Sequence, residues 1–268
     1  MAGRNRDIEN ELIATAHAVA DAARAAILPW FRRADLSAAN KAAEGFDPVT
    51  QADRAAEEAM RTVLARRRPQ DAILGEEFGR SDGSSGLTWV LDPIDGTRGF
   101  LSGTPTWGVL IAVSDESGPF LGVIDQPYTQ ERFVGGPGLA EWTGPHGGAP
   151  MTTRTTAGLS DAVLFTTFPE VGTPDEGAAF QRVAEQVKLV RYGMDCYAYA
   201  LLAAGQIDLV IEAGLQAYDI QAPIAVIEAA GGVVTDWQGG PAHGGGRALA
   251  AANPSVHAAA LDLLRSTV

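Results

Sequence analysis

Apolar residues at Ile8, Leu12, Ala16, Val19, Ala23 and Ile27 recur at helical spacing, so the pattern predicts a long amphipathic helix over residues 7–28. Pro29 ends that helix or kinks its last turn, with Trp30 and Phe31 packing beneath it. Residues 34–46 lack periodicity and include Gly45, the pattern of an exposed loop or short hairpin. Ala56, Met60, Val63 and Leu64 mark one face of a second helix from Asp53 to Arg68, and Arg66, Arg67 and Arg68 complement the dipole at its end. Short apolar runs follow. Residues 72–74 read as a strand delivering Glu76, the SDGSSG run at 81–86 as a turn, and Trp89, Val90 and Leu91 as a buried strand. Pro93 has no N–H to extend a ladder, so that strand is expected to stop at Asp92-Pro93.

Residues 107–113, 120–125 and 131–135 read as consecutive strands, and the Gly- and Pro-rich stretch 135–150 as hairpin loops. From about residue 158 the rhythm changes. Strands at 163–166, 189–192, 207–212, 232–235 and 248–252 alternate with helices at 176–187, 196–204, 220–230 and 254–264, the last opened by Pro254. Alternation of this kind predicts a layered α/β fold, divided into an N-terminal half over 1–157 and a C-terminal half over 158–268. No internal repeat is visible.

The chain's 268 residues, 46% apolar and 20% charged, are enough for one large or two modest domains with a full core. No continuous apolar run has the length of a membrane span, and the first ten residues lack the apolar core of a signal peptide. A single cysteine, Cys196, permits no intrachain disulfide and fits a reducing cytoplasm. The formal charge of −13 argues against nucleic acid as a partner. It is also the wrong sign for an anionic ligand, unless bound cations invert the field locally.

Candidate chemistry concentrates in WVLDPIDGTRGF, residues 89–100. Asp92 and Asp95 lie at a strand end, and Gly96 and Thr97 stand where a helix can start. Carboxylates beside free helix-start N–H groups suit a hard divalent cation and a phosphate together. Taken alone, D-P-x-D-G is equally an Asp-rich turn.

D-P-I-D-G-T resembles the signature of the inositol monophosphatase family, Mg²⁺-dependent phosphomonoesterases. Gly75-Glu76-Glu77 resembles the family's G-E-E, and Asp47-Pro48-Val49-Thr50-Gln51-Ala52-Asp53 is similar to its D-x-V-T-x-x-D. Tyr218-Asp219-Ile220 with Glu228-Ala229-Ala230-Gly231-Gly232 resembles W-D-x-A…E-A-G-G, with Tyr218 where tryptophan is usual. The likeness runs from about residue 7 to about residue 265. Arg98-Gly99-Phe100, the run from Gly103 to Gly108, Asp125-Gln126-Pro127 with Glu131-Arg132, and Gly193-Met194-Asp195-Cys196-Tyr197-Ala198-Tyr199 resemble the family's histidinol-phosphatase branch.

The resemblance implies an α-β-α-β-α sandwich with the site between its halves. It implies metal ligands at Glu76, Asp92, the Ile94 carbonyl, Asp95 and Asp219, holding two to three Mg²⁺ with Mn²⁺ as an alternative. Glu76 and Thr97 would orient and deprotonate water, with Asp47 and Thr50 as a relay to Thr97 and Asp53 in support. The N–H groups of Gly96 and Thr97 would cradle phosphate, and Lys41 and the flexible segment near it would approach the metals. For Asp47, Asp53 and Glu77 a capping or solvated role serves equally well. His17, His146, His243 and His257 are scattered and read as structural or exposed.

The implied substrate is a small phosphate ester, L-histidinol phosphate. Its alternatives are inositol 1-phosphate or a broad range of monoesters and, in a different class, an inactive metal- or phosphate-binding module. Substrate residues are Ile94, Asp95, Gly96, Thr97, Gly193, Asp195, Glu212 and Asp219. Asp195 and Glu212 are expected to meet the ammonium of histidinol, and Tyr197 or Tyr199 either to stack on its imidazole or to belong to the core. A cytoplasmic homodimer with no membrane partner completes the expectation.

Overall fold

A computed structural model describes residues 6–34, 38–40 and 48–265. The expectations placed on Lys41 and Asp47 lie outside the described residues. Helix α1 (Arg6–Ile27) buries Leu12, Ala16, Val19, Ala23 and Ile27 of the face read from the sequence, while Ile8 in its first turn is exposed. Together with Leu28–Trp30 it is long and apolar enough to qualify for a membrane crossing, although it carries no unbroken apolar run. Its apolar face is instead packed into a core shared with α2 and the main sheet. β1 (Ala38–Asn40) pairs antiparallel with β2 (Pro48–Thr50).

α2 (Gln51–Arg67) begins two residues before the expected start. Thr50 is its N-cap, accepting the Ala52 N–H at 3.0 Å, and Asp53 is the third residue of a capping box. β3 (Ala72–Gly75), β4 (Gly79–Ser81), β5 (Thr88–Asp95), β6 (Gly108–Asp115), β7 (Gly118–Gln126), β8 (Glu131–Gly136), β9 (Leu139–Gly144) and β10 (Gly147–Pro150) form one sheet in the order β10-β9-β8-β7-β6-β5-β3-β4. The stretch expected as hairpin loops thus carries two further strands. Gly135, Gly136 and Gly144 lie at the ends of β8 and β9 and the remaining glycines and prolines in the turns and exposed β10, while Trp142 of β9 stacks on Phe133.

β11 (Val163–Thr166), β12 (Leu189–Tyr192), β13 (Leu209–Leu215), β14 (Val233–Thr235) and β15 (Gly246–Ala251) form a second sheet, ordered β12-β11-β13-β15-β14. α5 (Tyr197–Ala203) and α6 (Ala217–Ala229) lie between the sheets. α4 (Pro174–Ala184) and α7 (Pro254–Arg265) cover the outer face of the second sheet. The layers are therefore α1/α2, large sheet, α5/α6, small sheet, α4/α7, the sandwich expected from the sequence.

α4 and α6 start earlier than their apolar periodicity suggests, because polar caps open them: Thr173 with Glu176, and Gln216 with Asp219. α6 lies close against the large sheet. A Cβ at Gly122 would strike the Ala222 carbonyl, and one at Gly135 the backbone of Val226. That close seating fixes where the start of α6, and with it Asp219, meets the end of β5.

Candidate metal centre

β5 does not stop at Pro93. It runs on to Asp95 through a bulge: Asp92 pairs with Leu110 and Asp95 with Gly108, leaving Pro93 and Ile94 opposite Val109 alone. The missing N–H of Pro93 falls where the ladder is already interrupted, which is why the strand tolerates it. In a regular strand, residues three apart point to opposite faces. The surplus residue shifts that alternation, so Asp92 and Asp95 reach one cluster. Asp92 accepts the Ile94 N–H at 3.0 Å, closing the turn inside the bulge.

Asp219 joins them from the first turn of α6, where it also accepts the Gln216 N–H at 2.7 Å. Asp92, Asp95 and Asp219 each bring a carboxylate oxygen within 4.8 Å of the others. Glu76 follows β3, its N–H donating to the Leu91 carbonyl at 3.2 Å, and its side chain contacts Asp92. Burial, and then the charges of Glu76, Asp95 and Asp219, push the Asp92 carboxyl well above its ordinary range. Burial, and then Asp195 and Asp219, do the same to Asp95. Carboxylates this close and this dry resist sharing negative charge unless cations offset it. An all-oxygen set of this kind fits hard divalent ions.

Gly96 is left-handed at φ 81° and caps α3 (Thr97–Ser102). A Cβ there would come within 2.7 Å of the Asp195 carboxyl carbon, so only glycine fits. The Thr97 hydroxyl donates to the Ile94 carbonyl at 3.1 Å and lies 3.5 Å from Asp53 Oδ1. Asp53 Oδ2 accepts both the backbone N–H of Thr50, at 2.8 Å, and its hydroxyl, at 2.5 Å. The capping box of α2 thus ends on Thr97, which the Asp53 carboxylate reaches.

A cleft of about 380 Å³ opens over the cluster. Of the residues expected at the site, Glu76, Asp92, Ile94, Asp95, Gly96, Thr97, Asp195, Glu212 and Asp219 line it. Gly193 does not. It turns in the left-handed region, and its N–H donates to the carbonyls of Thr166 and Thr167. Asp195, itself left-handed at φ 47°, accepts the Thr106 hydroxyl at 2.9 Å, and burial raises its pKa. Glu212 accepts the Thr167 N–H at 2.6 Å and the Thr166 hydroxyl at 3.2 Å, and burial pushes it up to about 7. Tyr197 packs beside the core with its hydroxyl on Glu131, whereas Tyr199 lines the cleft.

Two residues escaped the sequence reading. Glu57, fully buried on α2, accepts the N–H groups of Glu77 at 2.6 Å and Phe78 at 3.2 Å and holds the turn that follows Glu76. Its signal was an acid one turn after Asp53, beside the apolar residues of that helix face. Arg98 lines the cleft with its guanidinium 4.8 Å from the Phe168 ring centre.

Two sheets interleaved with helices, and strand ends and helix starts that gather acids in the cleft between them, define a class of layered α/β enzymes built to hold divalent cations. The sequence profile of the inositol monophosphatase family matches residues 8–267, and the chain belongs to that family of phosphatases. It is 44% identical over 228 residues to the bifunctional phosphatase IMPL2, chloroplastic, of Arabidopsis thaliana, covering 84% of this chain but only 64% of that one. A Mycobacterium tuberculosis histidinol-phosphatase is 36% identical over 76% of this chain and 79% of its own. Among solved structures, an inositol monophosphatase from Zymomonas mobilis superposes with a TM-score of 0.85 at 37% identity, over 96% of this chain and 98% of that one.

Proposed function

We propose that this phosphatase hydrolyses L-histidinol phosphate to L-histidinol and phosphate. The observation that carries the reading is a second pair of acids in the cleft, Asp195 and Glu212, apart from the carboxylates gathered around Asp92. An ester with only hydroxyls on its leaving group gives two such acids no charge to meet, whereas an ammonium does. Relatives named histidinol-phosphatase, at 33–36% identity, support the same substrate. Broader monoesterase activity is the second reading, favoured by an inositol-1-monophosphatase of Mycolicibacterium smegmatis that is 33% identical over 96% of this chain.

Glu76, Asp92, the Ile94 carbonyl, Asp95 and Asp219 would hold two to three Mg²⁺ ions, with Mn²⁺ an alternative. Such cations acidify water and offset charge on phosphoryl oxygens. Glu76 and the Thr97 hydroxyl orient the attacking water; Thr97 Oγ1 accepts its proton and passes its own to Asp53 Oδ1. The N–H groups of Gly96 and Thr97 hold phosphoryl oxygens. Asp195 and Glu212 seat the leaving group. The N-terminal half supplies Glu76, Asp92, Asp95 and Thr97, and the C-terminal half supplies Asp219 and the leaving-group acids Asp195 and Glu212, in a cytoplasmic homodimer.

Phosphate release from L-histidinol phosphate and inositol 1-phosphate, measured side by side with Mg²⁺ and then with chelator, tests the reading. A clear preference for the first ester, abolished by chelator, is expected. A preference for inositol 1-phosphate would transfer the assignment to the second reading.

A further inference from the structure

Tyr199 occupies an odd position in the cleft wall. It is 4% exposed, and among the described residues its hydroxyl has no hydrogen-bond partner. Tyr197, two residues earlier on the same helix, places its hydroxyl 2.8 Å from Glu131. Phenylalanine would fill the space of Tyr199 without stranding a polar atom, so the hydroxyl serves something the protein alone does not provide.

What it serves follows from its surroundings. Tyr199 stands four residues after Asp195, in the first turn of α5, and the carboxylates whose charges act most on its hydroxyl are Glu212, Asp95 and Asp219. Burial and those charges raise its pKa well above the usual phenol range, so it stays a neutral donor and acceptor. Asp95 and Asp219 belong to the set that would hold cations, which leaves Glu212, with Asp195 on the cleft wall, to favour a ligand atom that carries positive charge. Among the described residues, Glu212 accepts hydrogen bonds from Thr166 and Thr167 and Asp195 accepts one from Thr106, all neutral donors, while the charge of Arg98 acts on Asp195 from the cleft wall.

We propose that the Tyr199 hydroxyl is a specificity-determining group that accepts an N–H of the substrate's leaving-group ammonium, completing a seat whose other walls are Asp195 and Glu212. The inference rests on the histidinol phosphate reading and sharpens it: the hydroxyl of Tyr199, not its ring face, recognises the ligand. A site shaped to bond a substrate N–H rejects an analogue that lacks it, because its own buried polar groups are then left unpaired.

The test compares L-histidinol phosphate with 3-(imidazol-4-yl)propyl phosphate, the same ester without its amino group, in wild type and Tyr199→Phe. Wild type is expected to prefer the amino ester. The ratio of kcat/KM values should fall about tenfold in Tyr199→Phe, the effect of one charge-assisted hydrogen bond, chiefly through KM. The thermal midpoint without ligand should hold or rise, since no bond of the free protein is lost.

A preference ratio that survives in Tyr199→Phe overturns the role of Tyr199 and leaves the substrate assignment standing. A wild type indifferent to the amino group overturns both. A measurement free of mutation guards against a folding defect. In wild type labelled at tyrosine Cζ, L-histidinol should shift the Tyr199 resonance, and 3-(imidazol-4-yl)propanol should shift it far less. Equal shifts overturn the proposal.

Discussion

The backbone N–H of Cys196 donates to Oδ2 of Asp95 over 2.6 Å, joining residues 101 positions apart in the chain. One carboxylate therefore has two duties, standing in the acid cluster and tying α5 to the end of β5. Asn and Ala substitutions separate them. Asp95→Asn keeps an acceptor for Cys196 and removes the charge; Asp95→Ala removes both. Mg²⁺ is expected to raise the thermal midpoint of the wild type, and Asp95→Asn to abolish that rise. Asp95→Ala should in addition lie about 1–3 kcal/mol below Asp95→Asn in metal-free denaturant melts, the cost of an orphaned buried amide.

The chain Thr50–Asp53–Thr97 makes a second expectation. Asp53→Asn retains the shape of the capping box but is a far weaker proton acceptor, so kcat should fall about 10²-fold or more with little change in KM. Thr50→Ala should instead cost about 1 kcal/mol of stability through the lost cap. Steady-state kinetics and urea melts on the two variants distinguish a chemical role from a structural one.

Glu212 gives the fold a pH dependence of known sign. Its pKa in the fold, about 7, lies above the ordinary value of 4.5 because burial favours the neutral acid. Its contribution to stability is therefore complete below about pH 4.5 and is lost as pH rises through about 7. In melts with chelator, Glu212→Gln should resemble wild type at pH 5 and exceed it at pH 8. Equal differences at both values would show that Glu212 does not titrate in this window.

Glu57 bonds no ligand in the cleft, yet it caps two N–H groups of the turn after Glu76 and pairs with Arg61 at 2.8 Å. Glu57→Ala is expected to destabilise by about 3 kcal/mol, since it takes the carboxylate from half-buried Arg61 and strands two amides at once. It should also weaken Mg²⁺ binding measured calorimetrically, because Glu76 loses the turn that aims it.

Much of this was legible in the sequence. The apolar stripe of α1 and the alternation of short strands and helices after residue 158 carried the layers, and the ordered carboxylates carried the site. What escaped had physical reasons. Helix starts at Gln51, Pro174 and Ala217 were read late because polar caps, not apolar periodicity, open those helices. The continuation of β5 past Pro93 was missed because proline forbids a ladder bond only where a bond is required, and the bulge asks for none. Asp53 stands three residues after Thr50, an ordinary capping-box position, and that spacing alone does not show that its second oxygen reaches Thr97.

The bulge in β5 sets a limit on how the centre can vary. Asp92 and Asp95 face partners two apart on β6, Leu110 and Gly108, so the spacing between the acids counts one residue more than a regular strand needs. Removing that residue would leave both acids on one face but erase the turn that the Asp92 carboxylate and the Ile94 N–H close, and with it the position of the Ile94 carbonyl. Neighbouring walls such as Arg98, Phe168 and Asp195 belong to no such count. Change in the leaving group can be absorbed there while the acid pair stays locked in register.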